Sequence, residues 1–207
     1  TFTVQVIHSP LPKVFIRTQG GMQIPSKNEN WLSATVKIYN PDWTLHLEGK
    51  TDIRGRGNTT WTYPKKPYAL KLNEKQEVLG MPKHKRWVLL ANWMDRTLLR
   101  NAASFNLASR TSLAYTPRGE FVELFVNDVH LGNYFLCEHI KVDKNRVNID
   151  ELYEDEVDGG YIMELDSYFD EVNKFKSAVR NLPYMFKDPD EVSAEQFSFI
   201  QNYVNNF

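Results

Sequence analysis

Apolar and polar residues alternate along the first half of the chain. The stretches "TFTVQVI" (1–7), "KVFIRT" (13–18) and "LSATVKIY" (32–39) are β-branched or alternating, with Pro, Gly and Asn between them. That period of two, with that punctuation, predicts strands. "TLHLEGKTDIRGRG" (44–57) continues the pattern. In "PYALKL" (67–72) the apolar positions Tyr68, Leu70 and Leu72 share one face of a strand. Ala69 and Lys71 then lie on the other. "RWVLLAN" (86–92) reads as a short buried strand.

At Asp95 the period changes. "DRTLLRNAASFNLASR" places Leu98, Leu99, Ala102, Phe105 and Ala108 on one helical stripe, and Asp95 is the expected N-cap. "EFVELFVNDVHLGNYFLCEHI" (120–140) predicts two strands about a tight turn at Asn127–Asp128. "DGGYIMELD" (158–166) is a further strand that ends in a carboxylate. The tail from Ser193 reads as an amphipathic helix capped by that serine. The order is strands, Gly-containing turn, Lys strand, helix, hairpin, loop, strand with terminal Asp.

Composition narrows the function. The 207 residues are 42% hydrophobic, 25% charged and 13% aromatic, enough for a packed core and unlike a disordered chain. A net charge of -1 argues against a nucleic-acid partner. With one cysteine, Cys137, there is no internal disulfide, and its strand setting marks a small buried hydrophobe. No apolar run approaches the ~18 residues that a membrane span needs. The start at "TFTVQV", without Met or a leader, is that expected of a fragment of a longer precursor.

Two features point to phosphate. Arg54, Gly55, Arg56, Gly57 and Asn58 form "RGRGN", which reads either as a cradle for phosphate oxygens or as a turn with solvated arginines. Lys71 follows on the next strand, as a phosphate ligand or as part of a solvated face. Carboxylates complete the set that phosphoryl transfer requires. Asp143 follows an apolar strand and Asp166 ends another. Each reads as a ligand for a hard divalent cation such as Mg²⁺ or Mn²⁺, or as a turn former. The five scattered His show no zinc-site spacing, and there is no GxSxG elbow. "MPKHKRW" (81–87) reads as a basic solvated turn before a strand, or as a receiver for an acidic substrate segment, and the acidic run 150–158 as a solvated loop or a divalent-ion site.

"RGRGNTTW" with "KKPYALKL", then "WVLLANWMDRTLLRNAASFNLA", "GEFVELFVNDVHLGNYFLCEHIKVDKNRV" and "GGYIMELD" resemble, in order and spacing, the CotH kinase family, named for a bacterial spore coat protein. The resemblance covers about residues 50–166. It implies a bacterial secreted or surface protein of α+β class with an atypical protein-kinase-like fold. That fold has a β-rich N-terminal lobe, one helix packed on an antiparallel sheet, and an incomplete helical C-terminal lobe. Residues 1–45 would be a β-rich extension or added layer, and 46–207 the kinase domain. The implied activity is transfer of the ATP γ-phosphoryl group to Ser or Thr of a protein with Ser/Thr-rich segments, using ATP and Mg²⁺ or Mn²⁺. The alternative is a catalytically inactive surface, assembly or binding module of the same family. Asp143 would be the catalytic aspartate and Asp166 the metal ligand. Lys71, Arg54, Arg56, Asn58 and Glu138 would bind nucleotide, with Glu138 to Ile140 as a hinge-like segment beside adenine. The helix from Asp95 to Arg110 contains no Glu to partner Lys71, and Glu123 or Glu138 on nearby strands would substitute.

Overall fold

The computed structural model describes residues 8–153 and 156–206. The stretch 1–7, read as a strand, therefore lies outside the described residues, as does part of the acidic run. The chain divides into two compact units, Thr1–His139 and Ile140–Phe207.

The first unit is built on seven strands: β1 (Lys13–Thr18), β2 (Leu32–Tyr39), β3 (Leu45–Gly55), β4 (Tyr68–Val78), β5 (Met81–Leu90), β6 (Gly119–Val126) and β7 (Val129–Glu138). They close into a barrel in the order β1-β2-β3-β4-β5-β7-β6. Neighbours are antiparallel except at the closure, where β6 runs parallel to β1 and pairs Phe125 with Phe15. The period of two fills the interior. Ile16, Val36, Ile53, Leu70, Trp87, Leu89, Leu124 and Leu136 are all at most 2% exposed. Each such side chain contributes about 1.5–3 kcal/mol of transfer free energy. The Trp87 indole N–H, which would otherwise be unpaired in this core, donates to the His84 carbonyl at 3.0 Å. Closure also leaves no free sheet edge.

Helix α1 (Thr59–Thr62) follows the "RGRGN" turn, and α2 (Arg100–Ala108) lies between β5 and β6. Through Ala102 and Phe105, α2 packs on Val88, Phe135 and Cys137 of the outer barrel face. The helix is shorter than its apolar stripe predicts, and Leu99 is its N-cap. Asp95 still serves the helix start from a loop position. Its Oδ2 accepts the Arg100 N–H at 2.9 Å, and its Oδ1 accepts from the Thr97 hydroxyl at 2.7 Å. The predicted turn at Asn127–Asp128 is present, with both residues at positive φ, 48° and 66°. "MPKHKRW" belongs to β5 and is not a turn before it.

In the second unit, β8 (Ile162–Leu165), β9 (Lys174–Lys176) and β10 (Pro183–Asp188) form a sheet of order β8-β10-β9. Helix α3 (Ala194–Asn205) packs Ile200 with Phe175 and Phe186. Ser193 caps it as expected: its Oγ accepts the Gln196 N–H, while the Gln196 side chain accepts the Ser193 N–H.

The expected fold class is overturned. The described chain is mostly β, with a closed seven-stranded barrel and three short helices, not a kinase-like α+β fold with a helical lobe. The physical reason is that the strands from residue 13 to 138 carry one apolar face each, and closing them on themselves buries all of those faces at once. Beyond residue 140, the residues expected to begin a helical lobe pair as strands. "KFK" and "PYMFKD" set Phe175, Met185 and Phe186 into a sheet core before α3 begins.

Candidate functional site

The outer face of β3, β4 and β5 carries the phosphate-binding candidates of the first unit. Since Ile53, Leu70 and Trp87 fill the barrel, their neighbours Arg54, Lys71 and Arg86 point outward. The strand register sets two rows across this face. One runs Arg54, Ala69, Val88, Cys137; the next runs Asp52, Lys71, Arg86. The first row thus passes from a cation to the buried residues Val88 and Cys137, on which α2 packs. The second places two cations side by side. Among the described residues no carboxylate lies within ion-pair distance of Arg54 or Lys71. The partner expected for Lys71 is therefore not supplied by Glu123, which holds His130 at 2.8 Å, or by Glu138.

Two residues of this face carried no signal in the sequence pattern. Trp31 lies between two guanidiniums, with Arg54 Cζ at 4.4 Å and Arg86 Cζ at 4.9 Å from its ring. These cation–π contacts hold both arginines against the sheet surface. Arg86 sits in the basic stretch that was read as a solvated turn.

The "RGRGN" stretch is the end of β3 and a tight turn. A Cβ at Gly55 would lie 2.4 Å from the Trp61 ring, so the indole packs directly on the glycine backbone. Gly57 has φ +79°, and a Cβ there would lie 2.0 Å from Thr60 Oγ1. The Arg56 N–H donates to the Pro67 carbonyl at 3.2 Å, which ties the turn to the start of β4. Asn58 Oδ1 accepts from the Lys27 ammonium. Arg56 also acts on Cys137. Burial pushes that thiol up to about 12, and the Arg56 charge opposes the shift. The cysteine is the buried small hydrophobe its strand predicted.

Glu138 ends β7 with its carboxylate fully enclosed. Oε2 accepts from the Tyr115 hydroxyl and the Arg118 N–H, both at 3.0 Å. Oε1 accepts from Arg118 Nε at 3.0 Å and pairs with Nη2 at 2.8 Å. The side chain clasps the segment between α2 and β6. The boundary between the two units falls one residue later, inside the stretch read as hinge-like.

Asp143 and Asp166 lie in the second unit, each half-buried at the start of a turn. Asp143 Oδ1 accepts the Asn145 N–H at 2.8 Å, and its N–H donates to the Val147 carbonyl at 3.1 Å. Arg146, in the same turn, is 3% exposed. Asp166 Oδ1 accepts the Tyr168 N–H at 3.1 Å, and its own N–H donates to the Pro183 carbonyl at 3.3 Å. Both carboxylates are thus oriented by main-chain donors. Glu164, two residues before Asp166, pairs with Lys187 at 3.3 Å.

The family model described as CotH kinase protein matches residues 53–207. The chain belongs to this family. No curated protein matches the chain. All seven candidate residues, from Arg54 to Asp166, fall inside the stretch matched by the CotH kinase model. Strands β1 and β2 precede it.

Proposed function

We propose that this CotH kinase family member transfers the γ-phosphoryl group of ATP to a Ser or Thr hydroxyl of a secreted or surface protein with Ser/Thr-rich segments. The observation that carries the reading is the outer barrel face, where Arg54 and Lys71 stand beyond ion-pair distance of any carboxylate among the described residues. Cations on a sheet face that form no ion pair suit phosphate oxygens. Lys71, Arg54 and Arg56 would take the phosphates, Asn58 would hold the turn, and the main chain at Glu138 would lie on the adenine side.

Asp143 would orient the acceptor hydroxyl and take its proton as the oxygen attacks the γ-phosphorus. The donor chemistry suits a divalent cation. Mg²⁺ needs only one or two carboxylates when nucleotide phosphates supply other ligands, and the Asp166 carboxylate is oriented by the Tyr168 N–H. When bound, Mg²⁺ or Mn²⁺ would neutralise charge on the phosphates.

The test is transfer of label from [γ-³²P]ATP to a Ser-rich peptide by the full-length protein, with Mg²⁺ or Mn²⁺, beside Asp143→Asn and Asp166→Asn. The expected result is transfer by the wild type and a loss of at least ~100-fold in Asp143→Asn. No transfer, together with no ATP-dependent thermal shift, would leave the inactive binding module as the function. Full activity in both variants would overturn the residue assignment.

A further inference from the structure

A second site candidate lies on the opposite flank of the barrel register, on β1, β2 and the turn after β2. A depression of about 460 Å³ is lined there by Phe15, Tyr39 and Trp43, with Arg17, Thr35, Lys37 and Asp128 at its rim. That volume is within the ~300–1,000 Å³ of small-molecule sites. Most of its lining precedes residue 53, so the residues matched by the CotH model do not account for it.

Trp43 is 54% exposed, an unusual state for a Trp. It is also held in place. The backbone there has φ +69°, a left-handed conformation that is costly for a bulky residue. The ammonium of Lys13, itself 2% exposed, lies 4.8 Å from the ring centroid and donates to the Ser9 and Pro41 carbonyls at 3.0 and 2.9 Å. One side of the indole therefore rests on a buried cation. Phe15 and Tyr39 flank it, with centroids at 6.4 and 6.0 Å, and Phe125 stacks on Phe15 at 4.4 Å.

The charge of the rim selects the ligand. Arg17 pairs with Asp128 at 2.8 Å, and Lys37 pairs at 2.9 Å with Glu48, which lies outside the lining, so each charge at the rim has a partner. The rim holds no unpaired charge for an anion or a cation. It does offer exposed donors and acceptors, since the Arg17 and Asp128 side chains are each 71% exposed. An aromatic plate beside paired, solvent-facing donors and acceptors matches a ligand with apolar C–H faces and vicinal hydroxyls. A run of prolines would use the aromatic ridges, but its residues have no N–H donors for the Asp128 carboxylate. We propose that the Phe15–Tyr39–Trp43 depression binds a neutral oligosaccharide, with one sugar ring stacked on Trp43 and its hydroxyls bonded to Arg17, Thr35 and Asp128.

The experiment follows the Trp43 indole N–H signal by NMR during titration with cellohexaose, maltohexaose, N-acetylchitohexaose and, separately, decaproline. Trp43→Gly removes the ring and suits the positive φ, so the fold is retained, as a melting curve would verify. At least one hexasaccharide is expected to shift the signal. Its affinity, read by isothermal titration calorimetry because Trp43→Gly has no such signal, should fall on the order of tenfold or more in Trp43→Gly, and by less in Arg17→Ala. The proposal is overturned if none of the three sugars shifts the signal at millimolar concentration, or if Trp43→Gly binds as the wild type does. It is also overturned if decaproline alone shifts the signal, or if the signal moves with protein concentration alone, which would mean that a second copy covers the face. The outcome is independent of the phosphoryl-transfer test, because no residue is shared.

Discussion

Replacing Glu138 by Gln tests the clasp at the end of β7. The carboxylate is enclosed, with 0% side-chain exposure, and receives Tyr115, the Arg118 main chain and the Arg118 fork. Gln keeps the shape but has only one acceptor oxygen. If that oxygen faces the Arg118 guanidinium, the amide N–H₂ meets the Arg118 N–H and the Tyr115 hydroxyl. A hydrogen bond to a charged group is worth roughly 1.5–3 kcal/mol, and a buried donor left without an acceptor costs about 1–3 kcal/mol more. The expected destabilisation is therefore roughly 2.5–6 kcal/mol. Urea denaturation at pH 7 reads it as a lowered midpoint at unchanged slope. In an Arg118→Ala background, where the fork is already gone, the same substitution should cost much less, and that double-mutant cycle isolates the pair. ATP affinity of the folded variant should stay unchanged, because the main chain is retained. A loss below about 1 kcal/mol would refute the clasp. Lost ATP binding at unchanged stability would move the side chain to the nucleotide.

Two further outcomes come from named positions. Gly57→Ala should destabilise more than Gly80→Ala in the same urea assay. Both have a left-handed backbone, costing roughly 1–2 kcal/mol for a residue with a Cβ, but only at Gly57 does the added carbon meet an atom, Thr60 Oγ1 at 2.0 Å. Cys137 should resist a disulfide-exchange reagent in the folded protein at pH 8 and react on unfolding. Burial raises its thiol from 9 to about 12, so the folded state keeps a proton that the unfolded chain releases. Stability from this group is whole below pH 9 and falls as pH rises towards 12, and Cys137→Val should flatten that fall.

Strand identity was legible because the alternation in "KVFIRT" and "LSATVKIY" reports burial on one face, and both became strands over those same residues. Barrel closure was not legible. It depends on the parallel pairing of β1 with β6, more than one hundred residues apart, which leaves no mark on local periodicity. The basic residues of "MPKHKRW" hid a strand for a similar reason. Lys83, Lys85 and Arg86 stand on the barrel's outside, while Met81, His84 and Trp87 carry the buried positions across an irregular register. Asp143 and Asp166 were legible as residues that begin turns, and both do. The Trp31 contact with two arginines was not, because it joins three segments distant in sequence.

The barrel register and the basic face are one constraint. Each strand of β3, β4 and β5 places a large apolar residue inward and a cation beside it outward: Ile53 with Arg54, Leu70 with Lys71, Trp87 with Arg86. A slip by one residue in any of them would put a cation into a core whose members are at most a few per cent exposed. Burying an unpaired charge costs several kcal/mol, more than the slip could recover. The outward cations therefore oppose misregistration, whatever they bind. Neutralising them separates the two roles. If Arg54→Gln and Lys71→Gln served only the register, ATP affinity would not change. If they also hold phosphate, affinity falls while the melting temperature holds, because glutamine on the outer face leaves the apolar packing inside intact.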